Sequence, residues 1–424
     1  MGEMELSLDV EYPNNLVEIG QSSIDGGGSG IFVNLEKLRQ LPPSKTYSLI
    51  VVKRSSTISL EECQRVLQSL SETSKSSEII RHCLLFVHQH LGDQLTETLI
   101  VFFYVVGYHC IIELGLDVPQ ISKFKSYLQV LLNTEVNSIQ KDSLEELNAI
   151  EPYMSRDFLF QVNLKALKSD YAIYELFIES VEKYGITQDK LSIEQFLQFK
   201  AAVKSRTLEI PGKVLDDDQF SISITMVPIL DYINHSNSLT NSFFDVNEDN
   251  DIVLKFEYSS EAFDGQSSQE LFISYLPLED VGKLFFNSGF IPTDDGYKII
   301  QFPINEIDRQ LLIENELPTS YIFLLQIKDN EIVQVTFPFD HLMKEVTNSD
   351  LTTYHAIVAQ DCTKALEKLP SNVKGNISAY VSFIRKVLQF VSRQKPETFS
   401  QFTGPRDESL IQELCSLIWP STNI

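Results

Sequence analysis

The hydrophobic period of this chain changes twice, and that limits its fold more than any other feature. Up to Ile58 the apolar residues sit in short strand-like runs. Ile31-Phe32-Val33 follows the glycine run Ile24-Asp25-Gly26-Gly27-Gly28-Ser29-Gly30, and Tyr47 to Val52 is β-rich. From Ser59 the spacing becomes helical: Leu60, Cys63, Val66, Leu67 and Leu70 recur on one face, and the pattern continues through Ile79 to Leu91, Leu95 to Leu114 and Ile121 to Leu132. It ends near Phe199, after a capping signal at Ser192-Ile193-Glu194-Gln195. Strand signals return at Ser221 to Pro228, Asp251 to Tyr258 and Glu270 to Tyr275. After Thr293 the chain reads as helical again, with one stripe through Tyr354, Ile357, Val358, Ala365 and Leu366 and another from Ile377 to Val391. The expected class is α+β: a β-rich fold over 17–292, interrupted by a helical insert at about 60–200, and an all-α domain over 293–424.

Composition narrows the function. A chain of 424 residues with 43% hydrophobic residues has the length and the apolar content for two or three packed domains. Its 59 acidic against 34 basic residues give a formal charge of −25, a field that repels phosphate backbones and attracts basic proteins. No direct nucleic-acid partner is therefore expected, and a basic protein substrate is favoured. The five cysteines contain no CxxC pair, which points to a reducing compartment and away from a cysteine metal site. No signal peptide is readable, so the cytoplasm is expected, with the nucleus open as a second location. Leu99 to Ile112 is too short to cross a bilayer of about 30 Å and reads as a buried helix, so no membrane role is expected. His82, Cys83, His88 and His90 do not place three ligands on one helical face, so no metal is expected. A monomer is the expected state.

Chemistry has three candidate places. The glycine run lets the backbone take positive φ and approach a ligand closely, although such a run is more often a flexible turn between strands. It lacks the lysine of a phosphate loop and is followed by an apolar strand rather than a helix. Met226-Val227-Pro228-Ile229-Leu230-Asp231-Tyr232-Ile233-Asn234-His235-Ser236 runs from an apolar strand into a polar corner, where Asn234 and His235 either meet a ligand or cap a turn. Tyr275 ends the strand Glu270 to Tyr275, where a tyrosine more often packs at the rim of a core than takes part in chemistry.

The order of these pieces resembles the SET-domain protein methyltransferases. The pieces are the glycine loop with Ile31-Phe32, a helical insert closing on Ser205-Arg206, Val227 through Asp231, Asn234-His235 with Asn241, Phe272 to Tyr275, and Gly289-Phe290. Within that family it looks like the branch of the Rubisco large-subunit and fungal ribosomal-protein lysine methyltransferases. The resemblance implies S-adenosyl-L-methionine as cofactor, bound by Gly27, Gly28, Ser29, Gly30, Arg206, Asn234 and His235. It implies Tyr275 as the catalytic tyrosine, and Arg206, Asp231, Tyr275 and Ser288 on the substrate side. The implied acceptor is a lysine of a ribosomal protein or translation factor. Ser288 stands where many lysine-specific relatives carry a tyrosine, and in this it resembles the SET enzyme that methylates an actin histidine. A histidine acceptor and a non-catalytic SET scaffold that holds a basic partner are the alternatives.

Overall fold

The computed structural model describes residues 8–24, 27–70, 74–92, 95–136, 143–154, 158–216, 219–275, 279–291, 298–303, 322–328, 331–338 and 354–358. The chain divides into two compact units, Met1–Lys141 with Asp170–Tyr275, and Asp142–Ser169 with Leu276–Ile424. The class is α+β.

The first unit opens with β1 (Val10–Glu11), β2 (Val17–Gln21), β3 (Ser29–Asn34), the one-turn helix α1 (Leu35–Leu38) and β4 (Thr46–Val52). The insert follows as α2 (Leu60–Ser69), α3 (Lys75–His90), α4 (Glu97–Glu113), α5 (Lys125–Leu132), α6 (Leu144–Met154), α7 (Phe158–Val181) and α8 (Ile193–Arg206). Of these, α6 belongs to the second unit, and the division at Asp170 falls inside α7. The β framework resumes with β5 (Thr207–Asp216), β6 (Gln219–Met226), β7 (Asn234–His235), β8 (Ser242–Val246), β9 (Ile252–Glu257), β10 (Ser268–Glu270) and β11 (Phe272–Ile273).

The insert is helical because caps and a continuous apolar face agree. Ser59, Ser74, Thr96 and Ser192 each accept a hydrogen bond from the backbone N–H three residues on, and Gln195 returns its side chain to the Ser192 N–H. Each cap stabilises its helix by about 0.5–2 kcal/mol. α4 is buried along its whole length from Ile100 to Ile111, as an all-round apolar helix must be. It packs with α3, α7 and α8 around Phe86, Phe102, Phe103, Phe177 and Phe196. Gly107 permits the α3 contact, since a Cβ there would lie 3.0 Å from Ile80 Cδ1 and 3.2 Å from Cys83 Cβ.

A second core lies between small sheets. β1-β4-β9-β8 and β10-β3-β2 are antiparallel, β5 pairs with β6, and β7 runs parallel to β11. Ile31, Val33, Leu49, Ile50, Ile229, Leu230, Ile233, Leu254 and Ile273 fill this core.

Two sequence expectations need correction. Glu270 to Tyr275 is not one strand. β10 ends at Glu270 on β3, the Leu271 N–H bonds Ile31 O at 2.8 Å, and β11 then joins β7 in another sheet. The described residues beyond Thr293 are not helical. The second unit carries β12 (Glu279–Asp280), α9 (Val281–Ser288), β13 (Lys298–Pro303), β14 (Ile322–Lys328), β15 (Glu331–Pro338) and β16 (Tyr354–Val358), in a sheet ordered β12-β13-β14-β15-β16. Tyr354, Ile357 and Val358, expected on a helical stripe, pair instead with Pro338, Val335 and Gln334. Over five residues an apolar pattern does not separate the two periods. The stripe from Ile377 to Val391 lies outside the described residues.

Candidate functional site

The glycine run is the connection between β2 and β3, which place Gly20 opposite Gly30 and Gln21 opposite Ser29. It closes on itself through Ser22 N–H to Gly28 O at 2.8 Å and Gly27 N–H to Ile24 O at 3.0 Å. Gly28 has φ +61°, and a Cβ there would meet nothing within 4 Å, so the chain turns left-handed beside open space. Gly30 is required for a different reason. A Cβ there would lie 2.3 Å from Glu270 Oε1 and 3.3 Å from Asn234 Nδ2.

Those two side chains bring the second and third segments to the loop. Asn234 Nδ2 donates to Ser29 O and to Glu270 Oε1, both at 3.1 Å. Glu270, only 3% exposed, also accepts from Ser22 Oγ and from the Ser23 N–H, each at 2.7 Å, and from Ser23 Oγ at 2.5 Å. Immediately after, β7 and β11 cross in parallel with Asn234 beside Phe272 and His235 beside Ile273. Asn241 locks the crossing: its Nδ2 donates to Glu270 O at 2.8 Å and its Oδ1 accepts from the Phe272 N–H at 3.0 Å.

Tyr275 follows the crossing. Its backbone N–H donates to His235 Nδ1 at 2.9 Å, its hydroxyl donates to Ile233 O at 2.7 Å, and the two rings lie 5.1 Å apart. Burial, reinforced by the nearby Asp231 charge, pushes the phenol well above its ordinary value, so the hydroxyl stays protonated. Gly30, Asn234, His235 and Tyr275 therefore belong to one cluster.

Asp231 and Arg206 form a pair on a neighbouring turn. Ile229 takes φ +76°, a conformation strained for a β-branched residue, and sends the chain into the short turn Leu230–Tyr232. There the fully buried Asp231 side chain accepts from Arg206 Nη1 at 3.1 Å and from the Tyr127 hydroxyl at 2.8 Å, while the Arg206 guanidinium lies 5.2 Å over the Tyr232 ring. Burial raises the Asp231 carboxyl above the usual range, with Arg206 and Tyr127 opposing it. The Arg206 side chain is thus committed to Asp231, at the C-terminus of α8, and reaches toward no other polar group among its described contacts.

Ser288 sits in the second unit at the end of α9, followed by Gly289 at φ +78°, whose N–H bonds Phe285 O at 3.0 Å. His82 is taken up by Ser180 Oγ at 2.9 Å, and Cys83 is core. Sequence reasoning missed Glu270, Ser22, Ser23 and Tyr127. An acid inside an apolar run, Gln269-Glu270-Leu271-Phe272, was the available signal for Glu270. Tyr127 has none, because it shares its helical stripe with Phe124, Leu128 and Leu131.

The residues fit a ligand laid against main chain: Gly28 leaves open space, Ser29 is exposed, and Asn234 and His235 stand beside them. A family model described as cytochrome c lysine N-methyltransferase 1 matches residues 13–343. The protein of that name from Kluyveromyces lactis is 29% identical over 308 residues, covering 68% of this chain and 57% of its own length. The one from Saccharomyces cerevisiae is 26% identical over 285 residues, covering 64% and 45%. The chain thus spans about half the length of the curated relatives it matches. Among solved structures, the SET domain of LSMT bound to methyllysine and AdoHcy is similar with a TM-score of 0.48 at 15% identity, over 96% of this chain and 84% of that one. The protein-lysine methyltransferase kinship expected from the sequence is found, with cytochrome c rather than a ribosomal protein in the relatives' name. With the match extending from residue 13 to residue 343, the chain belongs to the cytochrome c lysine N-methyltransferase 1 family.

Proposed function

We propose that the protein is an S-adenosylmethionine-dependent protein-lysine N-methyltransferase on a SET scaffold, with domain limits at 17–292 and 293–424. Its acceptor is a lysine of cytochrome c, the substrate named in the relatives' description. The observation that carries this reading is the single hydrogen-bonded cluster joining the glycine loop, the Asn234-His235 crossing and Tyr275. The expected ribosomal or translation-associated acceptor has no support among these relatives.

S-adenosylmethionine, when bound, supplies a methyl group on a sulfonium that is open to in-line attack by a neutral nitrogen. Gly27, Gly28, Ser29 and Gly30 would hold it through backbone, with Asn234 and His235 on the adjoining strand. The acceptor lysine, with an ordinary pKa of about 10.4, has to shed a proton before it attacks. Dry surroundings favour the neutral amine, and Leu230, Ile233 and Ile273 beside the cluster are buried and apolar. Because the Tyr275 hydroxyl donates its hydrogen bond to Ile233 O, its oxygen is left as an acceptor that orients an amine N–H, with no acid or base role. The net charge of −25 steers a basic protein toward the site. The cytoplasm is the compartment this reading assumes.

The test is incubation of the purified protein with methyl-labelled S-adenosylmethionine and cytochrome c, followed by tandem mass spectrometry. Label on a lysine Nζ is expected. Label on an imidazole would reassign the acceptor to histidine. Absence of transfer to any protein of a cytosolic extract, with cofactor still bound, would leave a non-catalytic scaffold.

A further inference from the structure

The glycine loop is held by more than its own two backbone hydrogen bonds. Ser22 and Ser23 turn away from β2 and are gripped from the far side of the sheet by one carboxylate, Glu270, at the end of β10. Each Glu270 oxygen accepts twice: Oε1 from Ser22 Oγ and Asn234 Nδ2, and Oε2 from the Ser23 N–H and Ser23 Oγ. Among the described residues no lysine or arginine pairs with it, so its buried charge is held by these neutral donors alone. The Ser22 oxygen in turn accepts from the Ile24 N–H at 3.1 Å, carrying the constraint into the loop. Gly30 allows the carboxylate to come this close. The Glu270 side chain therefore fixes the loop and the amide of Asn234, while the main-chain carbonyl of the same residue accepts from Asn241 at the β7–β11 crossing.

We propose that Glu270 is a positioning residue for the cofactor: it presets Ser22 and Ser23 at the base of the glycine loop and the Asn234 side chain in the binding geometry, so that binding does not have to order them. This rests on the reading of the cluster as an S-adenosylmethionine site. A preset loop lowers the entropy lost on binding, and a loop released from Glu270 meets that loss at each binding event. The same geometry explains why position 30 accepts no side chain. A methyl group at residue 30 would push the carboxylate away and release the loop just as removal of the carboxylate does.

Calorimetric titration with S-adenosylhomocysteine tests this on the full chain. Wild type is compared with Glu270→Gln, Ser23→Ala, Gly30→Ala, Glu270→Ala and the double variant Gly30→Ala/Glu270→Ala, each checked for folding by circular dichroism. Glu270→Gln should weaken binding by roughly tenfold or more, because an amide cannot accept at both ends. Ser23→Ala, at an exposed position that does not endanger the fold, should weaken it by roughly two- to fourfold through loss of one donor. The cofactor KM should rise in step with the dissociation constant, while kcat at saturation falls far less. Gly30→Ala should weaken binding alone and add little in the Glu270→Ala background, since the two act through one contact. Unchanged affinity in both Glu270→Gln and Ser23→Ala, beside a wild type that binds, would overturn the positioning role. Failure of the wild type to bind would overturn instead the reading on which it rests.

Discussion

The Tyr127 hydroxyl donates a 2.8 Å hydrogen bond to Asp231 Oδ2, and with it the helical insert reaches the turn that precedes Asn234 and His235. Tyr127 is on α5, separated from Asp231 by more than a hundred residues, and both side chains are buried. Arg206, closing the insert, meets the same carboxylate oxygen. The insert is therefore part of the site's framework, through two side chains that converge on one acid.

Tyr127→Phe removes a donor from a buried carboxylate and should cost about 1–3 kcal/mol in chemical denaturation at neutral pH. The hydroxyl is one of the groups holding the Asp231 carboxyl down, so its loss raises that carboxyl further above the ordinary range. The deficit should be full while Asp231 is ionised and shrink as pH falls through its titration. A deficit independent of pH would contradict the assignment.

Removing Arg206 alone should be worse than removing the pair. Arg206→Met leaves the Asp231 charge buried beside Tyr127 only, at a cost of about 3–5 kcal/mol. The double variant Arg206→Met/Asp231→Leu should lose less than the sum of the single changes in denaturant melts. Additive losses would mean that the two groups do not share one interaction.

Tyr275→Phe should lower kcat by about 100-fold while S-adenosylhomocysteine affinity changes little, because the hydroxyl orients the acceptor rather than the nucleotide. Since burial keeps the phenol protonated, the wild-type rate should rise with pH as the acceptor amine loses its proton. It should show no falling limb from Tyr275 below about pH 10. A falling limb that vanishes in Tyr275→Phe would contradict this.

Asp251 offers a test away from the site. Burial pushes its carboxyl up, but hydrogen bonds from Lys53 Nζ at 2.9 Å and the Arg54 N–H at 3.1 Å outweigh burial and hold it below the usual range. A depressed carboxyl stabilises the fold above its unfolded value and loses that contribution as pH falls through the folded one. Asp251→Asn should therefore lose about 1.5–3 kcal/mol at pH 7. Its melting curve should approach that of the wild type as the solution is taken below the ordinary carboxylate range. A gap that widens in acid would refute the pairing.

The β–helix–β order was legible because long periodic segments declare themselves: α4 and the Ser192 cap are where the pattern puts them. The glycine loop, the Asn234-His235 corner and Tyr275 were legible as separate pieces, and resemblance joined them. What joins them in the structure was not legible. Glu270 works from a buried position at the end of one short strand, just before the chain enters another sheet, where an alternating run reads as one strand. Tyr127 is chemically indistinguishable in sequence from its core neighbours. The strands β13 to β16 escaped because the pattern of a run only five to eight residues long satisfies either period until its partners are known. Ser288 lies in the second unit, so its part as an acceptor wall stays with the sequence reading.

The most direct measurement is a crystal structure of the full chain grown with S-adenosylhomocysteine. The account predicts the ligand against the main chain of Gly28 and Ser29, in contact with Asn234 and His235, and with its sulfur facing the Tyr275 hydroxyl. Ligand bound elsewhere on the chain, with the Gly28 side of the loop left empty, would contradict it.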